Sequence, residues 1–198
     1  IRESGMRAAR IVQNMLQFSR RSDMALKPVP VPSLVQRTLE LARNEYDLKK
    51  NFDFRRIEVG VSLDDDLPPV PCIETEIQQV LLNLLRNAME AMRIRGPRSD
   101  PPRIEIGARI ENEWIVMTVA DNGPGMDPET ARKVFEPFFT TKPVGSGTGL
   151  GLSVSYFIIV NNHNGSLDVE STPGAGTRFV IRLPLIARTQ DVDASDRG

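Results

Sequence analysis

The chain has 198 residues, 40% of them apolar and 26% charged, which is ordinary for one globular domain. Its formal net charge of −1 argues against a general binder of nucleic acid or of an acidic membrane surface. The single cysteine, Cys72, excludes an internal disulfide. No apolar run approaches the roughly 20 residues needed to cross a bilayer.

The first residues carry no signal-peptide stretch, and the chain does not begin with Met. Residues 1–22 have apolar side chains near a helical repeat and end in Arg20 and Arg21, which suit the C-terminal end of a helix. We therefore expect an excised or processed segment that begins inside a helix. The expected location is cytoplasmic, and membrane anchoring of a longer parent chain stays open.

The following segments predict alternating helices and strands. The run K-P-V-P-V-P at 27–32 is expected to be an extended segment or an edge strand, because proline cannot donate to a sheet ladder. Ser33 is a candidate N-cap for a helix to about Lys50, and alternation at 57–63 predicts a half-buried strand. Residues 72–95 give the strongest helix prediction, since their apolar side chains fill one broad arc.

Four strands and one helix are predicted after residue 100. They are a hairpin of Arg103–Ile110 and Glu113–Ala120, a helix that begins near the later glycine run and continues over Ser153–Val160, and closing strands at Leu167–Val169 and Thr177–Leu183. This order predicts an α+β fold, a two-layer α/β sandwich with a mostly antiparallel sheet and helices on one face. The polar residues from 187 onward are expected to be disordered.

A polar stripe borders the apolar arc of the 72–95 helix at Asn83, Asn87 and Glu90. Asn87 offers an amide oxygen, a hard ligand suited to Mg²⁺ held by ATP phosphates. Asn83, one turn earlier, would face the same pocket and reach phosphate or a metal-bound water. The alternative is that both asparagines lie on a solvated helix face.

The motif D-N-G-P-G-M, from Asp121 to Met126, directly follows an apolar strand. Asp121 could accept a hydrogen bond from an adenine amino group, and Gly123 and Gly125 would permit close approach of a flat purine. An ordinary Asn-Gly turn is the alternative. Thr177 is a candidate for the far wall of this site, or else an ordinary strand residue.

Two further motifs follow. In F-E-P-F-F-T-T-K, the phenylalanines around Phe138 anchor a mobile lid or simply belong to the core, while Lys142 can reach a phosphate. The run G-S-G-T-G-L-G-L has four alternating glycines, which suit a loop that folds its amides around phosphates. Its candidate binding residues are Gly147, Thr148, Gly149, Leu150 and Gly151. Neither a P-loop nor a dinucleotide fingerprint is present.

Over roughly residues 70–184, these motifs resemble the catalytic and ATP-binding domain of bacterial two-component sensor histidine kinases. That domain belongs to the gyrase, chaperone, histidine kinase and mismatch-repair ATPase superfamily, with its Bergerat-type fold. Residues 83–91 are similar to the asparagine box, 121–126 to the first glycine box, 135–139 to the phenylalanine box and 147–152 to the second glycine box. The sequence around the lid is most similar to the nitrogen-regulation type.

The resemblance implies a division into 1–26 (the second helix of the dimerisation and phosphoacceptor hairpin), 27–186 (the ATP-binding catalytic domain) and 187–198 (a disordered tail). It implies Mg²⁺ on Asn87, adenine on Asp121 and a lid from Phe135 to Gly149. The ATP-binding set that it implies, with the candidates above, is Asn83, Asn87, Glu90, Asp121, Gly123, Gly125, Met126, Phe138, Lys142, Gly147, Thr148, Gly149, Leu150, Gly151 and Thr177.

The resemblance also implies a reaction and its partners. The γ-phosphoryl of ATP would pass to a histidine on the protein's own phosphoacceptor helix, and then to an aspartate of a response regulator; the parent would be a homodimer. The His-Glu phosphoacceptor motif is missing, and the only histidine, His163, is expected to be structural, so the chain should not autophosphorylate.

Hydrolytic relatives place a glutamate base where Asn83 stands, which implies slow ATP hydrolysis. The alternatives are a hydrolytic conformational ATPase of the same superfamily and a non-catalytic nucleotide-binding regulator.

Overall fold

The computed structural model describes residues 25–49, 57–94, 100–142 and 147–186. Within them the strands are β1 (Lys27–Val29), β2 (Glu58–Leu63), β3 (Val70–Cys72), β4 (Arg103–Glu111), β5 (Trp114–Asp121), β6 (Ser166–Thr172) and β7 (Gly176–Pro184). The helices are α1 (Val31–Lys49), α2 (Glu74–Ile94), α3 (Pro128–Lys133) and α4 (Gly151–Phe157), which runs on into a π-helical turn (Ile158–Asn162). The predicted helix at 1–22 and the tail from 187 lie outside the described residues.

Among the described residues, the main sheet has five strands in the order β2-β4-β5-β7-β6. Only β2 and β4 pair in parallel; the other neighbours are antiparallel, as the sequence predicts. Alternate residues of β5 and β7 enter the main hydrophobic core, including Ile115, Met117, Val119, Phe179 and Ile181. Helices α2 and α4 pack on this inner face and α1 packs against α2, so the prediction of a two-layer α/β sandwich is confirmed.

Helix α2 lies where the sequence predicts it, with bounds one or two residues inside the predicted range. Its apolar arc is buried against the sheet, and Leu84 and Leu85 are almost completely inaccessible. Glu74 and Glu76 in the first turn and Arg93 in the last turn suit the helix dipole. Among the described residues, no helix has the length and apolar character of a membrane span.

The prediction that Ser33 caps α1 is wrong. The helix begins at Val31, and the backbone N–H of Leu34 already donates to the Pro30 carbonyl at 3.1 Å. Ser33 therefore lies in the first turn. Pro32 is tolerated in the same turn, because the N–H that proline lacks would have no partner within the helix.

Two elements were not predicted. β3 is only three residues long and contains a proline; its pairing with β1, which is distant in sequence, defines it. α3 is a single short helix, begun by Asp127, whose Oδ1 accepts from the N–H groups of Glu129 and Thr130, each at 2.9 Å. β1 and β3 form a small second sheet, and helix α2, which carries Asn83 and Asn87, directly follows β3.

Candidate functional site

One face of α2 contacts each loop that carries a motif. Residues 83, 87, 90 and 91 are spaced at one- and two-turn intervals and therefore share this face. The end of the glycine run meets α2 at Asn83, and the D-N-G-P-G-M loop meets it at Ala91. Eight residues of helix separate these contacts, which corresponds to about 12 Å.

Asn83 does not lie on a solvated face. Its Nδ2 donates to the carbonyl of Gly151 at 3.2 Å and to Oγ of Ser155 at 3.3 Å. Ser155 is completely buried and donates to the same Gly151 carbonyl at 2.9 Å. Asn83 therefore connects α2 to the start of α4, a contact between distant segments that sequence reasoning missed along with Ser155.

Lys142, the last residue of the F-E-P-F-F-T-T-K motif, contacts α2. Its Nζ donates to Oδ1 of Asn87 at 3.2 Å and forms an ion pair with Glu90. An amide oxygen and a carboxylate oxygen of α2 thus already face a cation in this fold.

Mg²⁺ fits this oxygen pair, because it prefers hard oxygen ligands and usually takes only one or two of them from the protein. Among the described residues, no cluster of three or more His, Cys, Asp or Glu side chains offers an alternative all-protein metal site.

Asp121 ends β5 beside the last turn of α2. Its Oδ1 accepts from the N–H of Gly123 at 2.8 Å, and the carboxylate also accepts from the N–H of Thr177. Burial raises the pKa of Asp121 to about 6, and the two backbone hydrogen bonds only partly offset that effect. The site therefore has an acceptor in apolar surroundings, at the end of α2 opposite to Asn83.

The turn between β6 and β7 forms the wall next to Asp121. Gly176, at φ +107°, approaches the Asp121 carbonyl so closely that no Cβ would fit, and Gly125, at φ +69°, makes the same approach to Thr172. The N–H of Gly174 donates to the Pro124 carbonyl at 2.6 Å. Glycine is therefore required at Gly125 and Gly176, both for backbone angle and for space.

The phenylalanines divide between two environments. Phe135 packs on the core, with its ring centroid 5.4 Å from that of Tyr156 and 6.3 Å from that of Phe179. Phe138 is 54% exposed, adopts φ +66°, and donates its N–H to the Gly149 carbonyl at 2.9 Å. Phe135 thus belongs to the core and Phe138 lies on the surface, whereas the mobile lid stays a prediction.

After Lys142, the described part of the glycine run leads back to α2, where Gly151 contacts Asn83. A Cβ on Gly147 would lie 3.1 Å from Cδ of Lys142. The N–H of Leu150 donates to Oγ1 of Thr148 at 3.4 Å, and Leu150 packs partly against the core. Gly145, the first glycine of the run, lies outside the described residues.

His163 is almost fully buried, at 2% exposure. Its Nε2 accepts from the N–H of Ile73 at 3.0 Å, so Nδ1 carries the hydrogen and donates to the Ile158 carbonyl at 2.9 Å. Burial lowers the pKa of His163, although the Ile158 carbonyl and Glu76 oppose that effect. A neutral ring with both nitrogens bonded is structural, in agreement with the expectation from sequence.

Residues 72–187 match the family of histidine kinase-, DNA gyrase B- and HSP90-like ATPases. The chain belongs to this family. Over 176 residues it is 36% identical to the signal transduction histidine-protein kinase AtoS of Escherichia coli (strain K12), spanning 89% of this chain and 27% of AtoS.

Solved histidine kinases share the fold. The catalytic domain of ThkA superposes with a TM-score of 0.66 at 29% identity, covering 82% of this chain and 97% of that domain. Full-length ShkA, solved with AMPPNP, gives a TM-score of 0.70 at 26% identity, covering 94% of this chain and 37% of ShkA. The predicted family and its Bergerat fold are confirmed, whereas the nitrogen-regulation type stays a prediction.

Proposed function

We propose that the chain is the ATP-binding catalytic part of a sensor histidine kinase, and that residues 27–186 form this domain. It binds Mg-ATP and donates the γ-phosphoryl to a histidine on the phosphoacceptor-helix domain of the same protein, from which a response-regulator aspartate receives it. The observation that carries the proposal is the order of contacts along α2. The glycine run and Lys142 meet the helix at Asn83 and Asn87, and the Asp121 loop meets it at Ala91.

The base belongs at the Asp121 end. The partly buried carboxylate accepts a hydrogen bond from the adenine amino group. Gly123 and Gly125 let the loop lie close to α2 and to the turn between β6 and β7, where a Cβ would collide. A Cβ on Gly123 would lie 3.1 Å from that of Ala91, which shows how closely this loop approaches α2. Thr177 and Met126 complete the wall.

The phosphates belong at the other end, between the glycine run and α2. Asn87 would hold Mg²⁺ beside Glu90, and the bound ion would neutralise charge on the phosphate oxygens. Lys142 would bind the phosphates as a point charge, and the backbone amides of Gly147 to Gly151 would donate hydrogen bonds to them. Catalysis in this arrangement is positioning and charge stabilisation, as is general for phosphoryl transfer.

Asn83 favours transfer over hydrolysis. An amide cannot take a proton from water, and its Nδ2 is already engaged by Gly151 and Ser155. This contact disfavours the alternative of a hydrolytic conformational ATPase. A regulator that binds nucleotide without catalysis is distinguished only by phosphotransfer itself.

The function is tested by the Mg-ATP affinity of Asn87→Ala, measured by calorimetry with and without Mg²⁺. We expect loss of at least about tenfold in affinity when Mg²⁺ is present and a small change when it is absent. Asn44→Ala, on the exposed surface of α1, is the matched control. Wild-type protein that fails to bind Mg-ATP at all would refute the proposal.

A further inference from the structure

Ser171 in β6 forms part of the wall beside Asp121, although no sequence motif singles it out. We propose that Ser171 fixes the direction of the Thr177 hydroxyl, so that Thr177 presents only acceptor lone pairs to the base. Ser171 is then a positioning residue for selectivity between a 6-aminopurine and a 6-oxopurine. The inference rests on the proposed function, since it requires the purine to lie against Asp121.

Three side chains stand in register across three adjacent strands. Asp121 of β5 pairs with Thr177 of β7, and Thr177 pairs with Ser171 of β6. Side chains directly opposite in such pairs lie about 5 Å apart. All three are in phase with the core-facing residues of their strands and form one polar row at the end of the inner sheet face.

Counting hydrogens assigns the direction of each bond of Ser171. Its Oγ has one hydrogen and two lone pairs. The N–H of Met126 donates to it at 2.8 Å, and the Gly176 carbonyl at 2.9 Å can only accept its hydrogen. The remaining contact, 2.9 Å from Oγ1 of Thr177, must therefore use the Thr177 hydrogen.

With its hydrogen held by Ser171, the Thr177 hydroxyl offers only lone pairs to a ligand. The Asp121 carboxylate beside it is also an acceptor. Two neighbouring acceptors suit an exocyclic amino group, which has one hydrogen for each. A 6-oxo group at the same place would meet lone pairs from both residues, and an unmatched buried polar pair is costly.

The experiment compares dissociation constants for Mg-ATP and Mg-ITP in the 198-residue chain and its variants. It is carried out at pH 8, where Asp121, with a pKa of about 6, is ionised. In Ser171→Ala the Thr177 hydroxyl is free to turn and donate to a 6-oxo group, so we expect the preference for ATP to fall by about three- to tenfold. Ser171→Thr retains a hydroxyl and should restore the preference.

A merely structural role would lower affinity for both nucleotides equally, and that result would overturn the inference. A second control places Ser171→Ala in a Thr177→Val background, where it should change the preference no further. If it still does, Ser171 acts through Met126 and the inference also fails.

Thermal unfolding establishes that each variant is folded. If Ser171→Ala does not fold, Thr177→Val is measured alone. Loss of the Thr177 hydroxyl as an acceptor must lower the preference for ATP over ITP. An unchanged preference contradicts the inference. Wild-type protein that binds no ATP would refute the proposed function itself. Normal ATP binding with a preference unaffected by Ser171→Ala would refute only the role of Ser171.

Discussion

At the residue scale, Asp121 shows a conflict between stability and function. The partly buried carboxylate at the end of β5 has lost more hydration than its two backbone donors replace, which is why burial raises its pKa to about 6. The folded protein therefore binds a proton more tightly than the unfolded chain does. An ionised Asp121 costs stability at neutral pH, and the proposed adenine contact accounts for its presence.

Asp121→Asn should make the protein more stable at pH 7 while abolishing measurable ATP binding. The folded pKa of Asp121 lies above the ordinary value of 3.8, so its favourable contribution is complete below pH 3.8 and is lost as the pH rises through about 6. The stability gain of the variant should therefore grow over that range, to about 3 kcal/mol at pH 7. Thermal unfolding at several pH values measures it, and a variant less stable than wild type at pH 7 would contradict this account.

His163 should produce the opposite pH dependence. Its folded pKa is lowered from 6.5, so the unfolded chain takes up a proton first and stability is lost as the pH falls below 6.5. We expect this slope in an Asp121→Asn background, where the opposing carboxyl is absent, and its loss in Asp121→Asn with His163→Ala. The second substitution also leaves the Ile73 N–H unpaired and should cost about 1–3 kcal/mol. Unfolding by urea between pH 5 and pH 8 tests both; an unchanged slope would show that His163 is not the titrating group.

At the element scale, a helix or strand was predictable from sequence where the spacing of its own apolar residues is enough to specify it. The spacing of Leu84 and Leu85 with their neighbours specifies α2, and the alternation around Met117 specifies β5. β3 was not predictable in this way, because its three residues form a strand only through pairing with β1, about 40 positions earlier. Likewise, the contact of Asn83 with Ser155 depends on how α4 packs against α2.

Gly149→Ala should separate the conformation of the glycine run from general stability. Gly149 adopts φ +66°, and a Cβ there would lie 2.5 Å from the carbonyl carbon of Phe138. The hydrogen bond from the Phe138 N–H to the Gly149 carbonyl must therefore break. We expect at least about tenfold weaker Mg-ATP binding with a modest loss of thermal stability.

Gly174→Ala is the matched control for this experiment, because Gly174 also adopts a positive φ, +80°, but a Cβ there would meet nothing within 4 Å. It carries the same backbone strain of about 1 kcal/mol without the collision. Equal effects of the two substitutions on affinity would show that strain alone, rather than the contact with Phe138, matters.

At the scale of the whole molecule, the motifs gave the identity of the family and the class of fold, because four short segments in a fixed order are more specific than any one of them. Their mutual placement was not available from sequence. That Lys142 lies on Asn87, and that Ser171 and Thr177 continue the row begun by Asp121, depends on strand register and on the packing of α2.

The whole chain should bind ATP without phosphorylating itself and should hydrolyse ATP only slowly. His163 is the only histidine, and it is buried with both ring nitrogens bonded, so it offers no accessible nucleophile. Incubation with radiolabelled ATP should leave the chain unlabelled, and addition of the phosphoacceptor-helix domain that the proposed function requires should give an acid-labile label on that domain. Label on His163 or rapid phosphate release by the chain alone would contradict the assignment.

The Lys142 ammonium, 3.2 Å from the Asn87 amide oxygen and paired with Glu90, has a consequence for inhibitor chemistry. A compound with a protonated amine at this position would replace the lysine without requiring a metal ion or phosphates. Joined by a linker that spans about one turn of α2, about 6 Å, to an aminated heterocycle at Asp121, it would occupy the Lys142 position and the Asp121 position together as a compact monocation. Such a molecule avoids the multiple negative charges that keep nucleotide analogues out of cells.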